Sequence, residues 1–216
     1  MTHPLVLSFS VAALATFLAT TLALALGLLT AHRRVVWLDA ILTAPLVLPP
    51  TVLGYALLVT LGRGSALGQA FERFSGRPLA FSFAGIVTAA VLTSLPLVLQ
   101  SVRAAIEGVD VTLLQAAKTL GASPWQVTVG ITLPLASRGI AAGVVLGFAR
   151  ALGDFGVTLM FGGSLPGETR TAALEIYDAF LSGDEATAQR LSFTLAAVGI
   201  ALVAGTLMLA RRPHRD

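Results

Sequence analysis

The sequence predicts an all-α, polytopic membrane protein with about five transmembrane helices, arranged as a single transmembrane domain over residues 1–216. Three observations carry this. Of 216 residues 56% are hydrophobic and only 12% are charged, and the mean hydropathy is +0.85. A soluble domain has roughly 45–50% apolar and about 25% charged residues, so this chain lacks the polar surface to coat a water-soluble globule. Second, apolar windows long enough to cross a hydrocarbon layer about 30 Å thick recur along the chain. Third, the charged residues gather in the segments between those windows.

The windows place spans at about 5–30, 40–62, 81–101, 139–161 and 191–210. In the first, Ala23-Leu24-Ala25 has the look of a signal-peptide cleavage site. No Arg or Lys precedes it, however, and Arg33–Arg34 behind it reads as a stop-transfer flank, so an uncleaved span is expected. In the second, Pro45 and Pro49-Pro50, followed by Thr51 and Gly54, interrupt the helical pattern. Proline removes an amide donor and collides with the preceding turn, so a kink or local unwinding is expected. Such backbone survives in lipid only where protein or a water-filled cavity satisfies it. It is therefore either a structural kink or a bend lining a pathway. Pro96 in the third span, beside Thr93 and Ser94, leaves the same two readings open.

The fourth span carries Gly139, Gly143, Gly147 and Ala151 at four-residue spacing, a small-residue ridge for close helix packing within or between subunits. It is apolar apart from Arg150 and Asp154, one turn apart and near its middle. An arginine there costs at least about 2.5–3.5 kcal/mol, so it should face protein or water and be paired. The pair either fixes packing, or Arg150 attracts an anion in transit. On these windows Arg150 is the one cation expected inside the membrane, and no other span holds an ionisable residue.

Orientation follows from the Arg and Lys in the connections. One side holds eight (Arg33, Arg34, Arg103, Lys118, Arg138, Arg211, Arg212 and Arg215) and the other five (Arg63, Arg73, Arg77, Arg170 and Arg190). Loop 162–190 on the poorer side also carries Glu168, Glu175, Asp178, Asp184 and Glu185. This puts the N terminus outside and the C terminus in the cytoplasm.

Several chemistries fall away. With no cysteine, thiolate metal sites, disulfides and cysteine nucleophiles are excluded. His3, His32 and His214 lie far apart, so neither a metal site nor a catalytic site can be assembled. The one lysine, Lys118, follows Ala117, which rules out a GxxxxGK[ST] phosphate loop; ATP chemistry must belong to a partner. The basic residues form no stripe and no aromatic platform, so nucleic acid is not an expected partner.

The stretch 102–138 is long for a connection between spans and is not low-complexity. Val111, Leu114, Ala117 and Leu120 fall at three-residue steps, which suggests a short amphipathic helix ended by Gly121. Ala122 leads into Ser123-Pro124, an N-cap followed by proline at the first helical position, and Trp125 and Val129 give the second helix an apolar face. Two short helices joined at a glycine would project below the membrane as a knob. On the other side, Leu174, Ile176, Tyr177 and Phe180 fall on a helical stretch ending near Gly183.

Gln115-Ala116-Ala117, then Gly121, then Ile131-Thr132-Leu133-Pro134 resembles the EAA loop (E-A-A-x3-G-x9-I-x-L-P) of permease subunits of binding-protein-dependent ABC importers, with six of seven fixed positions matched. The departure is Gln115 where glutamate is usual. Glutamine still hydrogen-bonds, so weaker electrostatic steering is expected rather than lost docking. A narrower resemblance, to molybdate importer permeases, covers nearly the whole chain. It rests on the blocks Leu46–Tyr55, Phe148–Gly156 (with Asp154 where glutamate is usual) and Leu165–Thr171.

The resemblance implies a type I ABC importer permease fold in the cytoplasmic membrane. It implies a homodimer, two cytoplasmic ATP-binding subunits, and a periplasmic or extracellular molybdate-binding protein as partners, with membrane lipid around them and no cofactor. The coupling loop would comprise Gln115, Ala116, Ala117, Gly121, Ala122, Ser123, Pro124, Trp125, Ile131, Leu133 and Pro134. The translocation path would draw on Pro49, Pro50, Thr51, Thr93, Ser94, Arg150 and Asp154. The binding-protein dock would draw on Glu168, Arg170, Tyr177 and Phe180, although an interfacial helix lying on the membrane reads equally from that segment. Tungstate or sulfate is the alternative cargo within the class. An ion-coupled secondary transporter is the alternative outside it, and it leaves the long loop unexplained.

Overall fold

The computed structural model describes residues 3–30 and 36–210. Arg33–Arg34, Arg211–Arg212, Arg215, His32 and His214 lie outside the described residues, and with them the strongest flanks of the orientation argument. All regular structure among the described residues is helical.

Helix α1 (Pro4–Thr30) crosses from one end of the molecule to the other. The expected second span is two helices, α2 (Val36–Val47) and α3 (Pro50–Leu61), meeting at 116°. The kink expected at Pro49-Pro50 is thus a full break. Pro49 takes an extended conformation and Pro50 starts α3, where its missing N–H costs nothing. A short surface helix, α4 (Ala66–Ser75), follows, capped by the Ser65 hydroxyl at one end and by Gly76 at φ +73° at the other. Sequence patterning alone left this helix unmarked.

Helix α5 (Phe83–Glu107) is the central post of the bundle. It packs most extensively on α1 and on α8 (Leu133–Leu152). It runs six residues beyond the expected end at Ser101, so Arg103 is helical and not part of a loop. Helices α6 (Val111–Thr119) and α7 (Pro124–Val127) follow. The second stub of the expected knob is not a separate helix. Helix α7 passes through a π-turn at Thr128–Thr132 straight into α8, giving one rod from Pro124 to Leu152. Proline supplies a reason for the wide turn: Pro134 has no N–H for the carbonyl four residues back, so the regular ladder cannot continue there.

The fourth span also ends differently. Helix α8 stops at Leu152, the chain breaks over Gly153–Phe155, and α9 (Gly156–Gly162) resumes. Arg150 and Asp154 therefore flank a helix end and do not sit at mid-span. Helix α10 (Ala172–Ser182) ends at Gly183 with φ +79°, as its glycine signalled. Helix α11 (Glu185–Ala210) starts six residues before the expected span.

The small-residue ridge of α8 packs inside the subunit. A Cβ added at Gly139, Gly143 or Gly147 would fall 2.6, 2.6 and 2.3 Å from Ala105, Ser101 and Val98 of α5. Val98 is fully buried and cannot give way. Gly147→Ala is therefore expected to lose about 1–3 kcal/mol through overpacking. Gly199→Ala on α11, with open space around it, is expected to be neutral. Thermal unfolding in detergent compares the two, and equal midpoints would contradict this packing.

Candidate functional site

The α6–α7 end is built from local rules. Asp110 caps α6, its Oδ1 accepting from the Thr112 N–H (2.8 Å) and hydroxyl (2.7 Å). The same hydrogen bonds hold its carboxyl below the usual aspartate range. At the other end Gly121 adopts φ +86°. Gly121 N–H donates to Lys118 C=O and Ala122 N–H to Ala117 C=O, both at 3.0 Å, a Schellman closure in which the second alanine of the EAA-like run supplies the acceptor. Ser123 and Gln126 then form a reciprocal capping box: Gln126 N–H to Ser123 Oγ is 3.3 Å, and Ser123 N–H to Gln126 Oε1 is 2.8 Å. The reversal between α6 and α7 is thus hydrogen-bonded at each terminus.

The apolar stripe expected on α6 divides between two surroundings. Leu114 is half-buried against the core cluster that includes Ile106, Val109 and Ala136. Val111, Leu113, Leu120 and Trp125 stay exposed, Leu120 at 88% and Trp125 at 73%. Gln115, Ala116, Ser123 and Pro124 are exposed beside them, while Ala117, Ala122, Ile131 and Leu133 are half-buried and Pro134 is exposed. The result is a largely apolar platform, with Lys118 as its one charged residue over 111–125, at the tip of the rod that becomes α8.

The two broken helices meet each other. A Cβ on Gly156 would fall 2.6 Å from Pro50, and one on Gly54 would fall 2.4 Å from Met160, so α3 lies directly on α9. Beside this contact Arg150 Nη1 lies 3.2 Å from Asp154 Oδ1. Asp154 is buried, and its Oδ2 also accepts from the Thr158 N–H (3.0 Å) and hydroxyl (2.6 Å), which satisfies the start of α9. The Arg150 side chain remains one-third exposed. Pro49, Pro50 and Thr51 are exposed at the adjoining break. The structure thus brings Pro49–Thr51 and Arg150–Asp154 into one region. Thr93 and Ser94 stand apart: both are fully buried on α5, with hydroxyls turned to the Ala90 carbonyl.

At the opposite end, Arg170 is engaged internally, 3.1 Å from Asp178, 3.5 Å from Glu175 and 3.1 Å from Ser164 Oγ. This ties loop 163–171 to α10, and the Ala172 N–H donates to Ser8 Oγ of α1 at 2.7 Å. Tyr177 stacks edge-on against Phe155, and Phe180 is 70% exposed. Glu168 is exposed and lines a cavity of about 640 Å³ with Ser10, Arg77 and Ser82. Among the described residues no group of His, Asp and Glu could hold a metal.

Sequence reasoning missed one polar contact between helices. Arg103 of α5 and Asp39 of α2 form an ion pair within the helical bundle. Arg150 is therefore not the only cation in the spanning helices, and the fourth span is not the only one with ionisable groups. The signal was available, since Asp39 and Arg103 lie one and two residues outside the charge-free windows.

Residues 19–211 match the family model described as "Binding-protein-dependent transport system inner membrane component". Among curated relatives, the chain is 47% identical to the Molybdenum transport system permease protein ModB of Escherichia coli (strain K12), over 80% of this chain and 74% of that protein. It is 42% identical to the ModB of Haemophilus influenzae, over 77% and 72%, and 41% identical to the ModB of Mycobacterium bovis, over 93% and 76%. Among solved structures it resembles a chain of a bacterial alginate ABC transporter in complex with an alginate pentasaccharide-bound periplasmic protein. That likeness has a TM-score of 0.73 and 16% identity, covers 99% of this chain and 79% of that one, and supports the fold alone.

The geometry at the breaks sets an expectation. Asp154→Ala strips Arg150 of its partner and Thr158 of its acceptor, at a cost of about 3 kcal/mol. Asp154→Asn keeps an acceptor for Thr158 and should lose clearly less. Unfolding midpoints in detergent would show the order, and equal losses would contradict the capping role.

Proposed function

This chain belongs to the binding-protein-dependent transport system inner membrane component family, and from that premise we propose that it is the permease subunit through which an ATP-driven importer moves molybdate. The family assignment makes it a multi-pass membrane transport subunit of an ABC importer. The cargo rests on the relatives named as molybdenum permeases. The single observation that carries the mechanism is the platform at 111–125, an exposed apolar surface on hydrogen-bonded turns continuous with α8.

In this reading two copies surround a central path, and two separate ATP-binding subunits seat on the platforms in the cytoplasm. The N terminus lies outside, as the charge bias favours, and a binding protein delivers the oxyanion to the side bearing Glu168, Tyr177 and Phe180. Arg170 braces that surface from within. Gln115 meets the ATPase by hydrogen bonding rather than as an ion pair. When the ATPases close, the platform moves as a lever and α8 carries the displacement to its far end. There the facing breaks at Pro49–Thr51 and Gly153–Phe155 can switch between inward- and outward-open packings. Arg150, with its charge partly compensated, attracts the anion without retaining it, while Thr93 and Ser94 are part of the packing behind. ATP favours the outward-open state because the closed ATPases contact the two states differently.

Two measurements test this. Co-purification with an ATP-hydrolysing subunit and uptake of labelled molybdate by the assembled complex are expected, with competition by tungstate and sulfate ranking the anions. A chain that purifies without such a partner would overturn the importer reading. Gly121→Val places a β-branched residue at φ +86°, where it is strained. It should abolish uptake while the ATPase still binds or hydrolyses uncoupled, and wild-type uptake in that variant would remove the lever.

A further inference from the structure

The ion pair that sequence reading missed joins three helices at the coupling end. Arg103 lies one turn before the end of α5, with Nη1 2.5 Å from Asp39 Oδ1 in the first turn of α2. Its Nε donates to the hydroxyl of Thr30, the last residue of α1, at 2.9 Å. The guanidinium side chain is only 14% exposed, and its Nη2 is enclosed without a hydrogen-bond partner among the described residues. Asp39 is held in turn, since its backbone carbonyl accepts from the Thr43 hydroxyl at 2.7 Å.

Helix α2 has few other anchors. It buries no residue, and its substantial packing is against α5 alone among the described helices, with Leu42 resting on the cluster around Val102 and Ile106. Val36, Trp37, Ile41 and Val47 are exposed. Apolar contact of that kind is non-directional and lets helices slide. A charge-assisted hydrogen bond in a poorly hydrated setting allows one register.

Each end of the pair leads to a working part. Arg103 precedes Ile106 and Val109, members of the buried cluster against which Leu114 of α6 packs. Asp39 opens α2, whose far end is the break at Pro49-Pro50 that rests on Gly156. We propose that the Arg103–Asp39 pair is the tether that makes α2 follow α5, so that displacement of the coupling loop reaches the broken second span by a route separate from α8. Both are positioning residues for transport. The inference rests on the importer reading above.

The test uses the assembled complex with its ATPase in vesicles, comparing wild type, Asp39→Asn, Arg103→Gln and the exchanged pair Asp39→Arg/Arg103→Asp. The natural chain has no cysteine, so a single label at Val47 reports α2 and one at Ala104 reports α5. In wild type both labels should change environment when ATP is added. In Asp39→Asn the Ala104 label should still respond and the Val47 label should not. Molybdate taken up per ATP hydrolysed should fall about fivefold or more, the size of an ordinary coupling free energy, and the exchanged pair should recover most of it. A Val47 response or an uptake ratio like wild type in Asp39→Asn would overturn the tether. So would uptake and hydrolysis falling in proportion without rescue, which marks a merely structural pair. If Arg103→Gln fails to assemble, the more exposed Asp39 carries the comparison. A wild-type chain that binds no ATPase defeats the importer reading itself, and that result is seen before any variant is made.

Discussion

A helix that breaks inside an apolar layer frees polar backbone that lipid cannot satisfy; this chain breaks its second span between α2 and α3, and interrupts the chain again where α8 gives way to α9. Each break serves as support for the other. Pro50, which has no N–H to lose, sits on Gly156, which has no side chain to obstruct it. Asp154 turns its second oxygen to the amide and hydroxyl of Thr158 and so closes the start of α9. The cost of burying that carboxylate is offset by Arg150 one turn earlier. Proline, glycine, arginine and aspartate in these spans answer a single requirement, namely backbone that can change direction where a path must lie.

In the proposed importer, the remaining architecture is what would carry force to that place. Helix α5 is the post, and the glycine ridge of α8 lies directly against it. The coupling loop is no flexible connection either. Its turn is fixed by a Schellman closure, its restart by a capping box, and its exit by a π-turn into α8. Trp125 and Leu152 therefore belong to one continuous helical rod, the geometry the proposed lever needs. Bistable packing, not continuous bending, is what such a lever can switch.

Much of this was legible in the residues. Ser123-Pro124 and Gly121 located the loop's helix ends to the residue, because caps depend on nearest neighbours in sequence. The glycine ridge announced close packing, though not the partner, since a ridge does not name the groove that receives it. What escaped was geometry set by three dimensions. Two adjacent prolines announce a break but not 116°, because that angle is decided by α9 beneath α3. Windows cut at the charges began the second span too late and ended the third too early. They sent Asp39 and Arg103 to the loops, although the two charges are half-buried and paired with each other. The α4 helix was passed over because, at ten residues, it falls between turn and span.

The same geometry bears on where anion selectivity resides. A site that chooses among tetrahedral oxyanions needs several converging donors whose own partners leave them free, and a buried polar group left unpaired by the wrong ligand is what rejects it. Arg150 is one-third exposed and already shares its charge with Asp154, while Thr93 and Ser94 spend their hydroxyls on their own helix. Arg103, a second cation in the spanning helices, is bound to Asp39 and Thr30, while Arg138 and Arg190 lie toward the starts of α8 and α11. Donors arranged in this way favour negative charge in general and hold no particular anion tightly. If these residues line the path, as proposed, it suits rapid release, and discrimination falls to the proposed binding protein rather than to the helices.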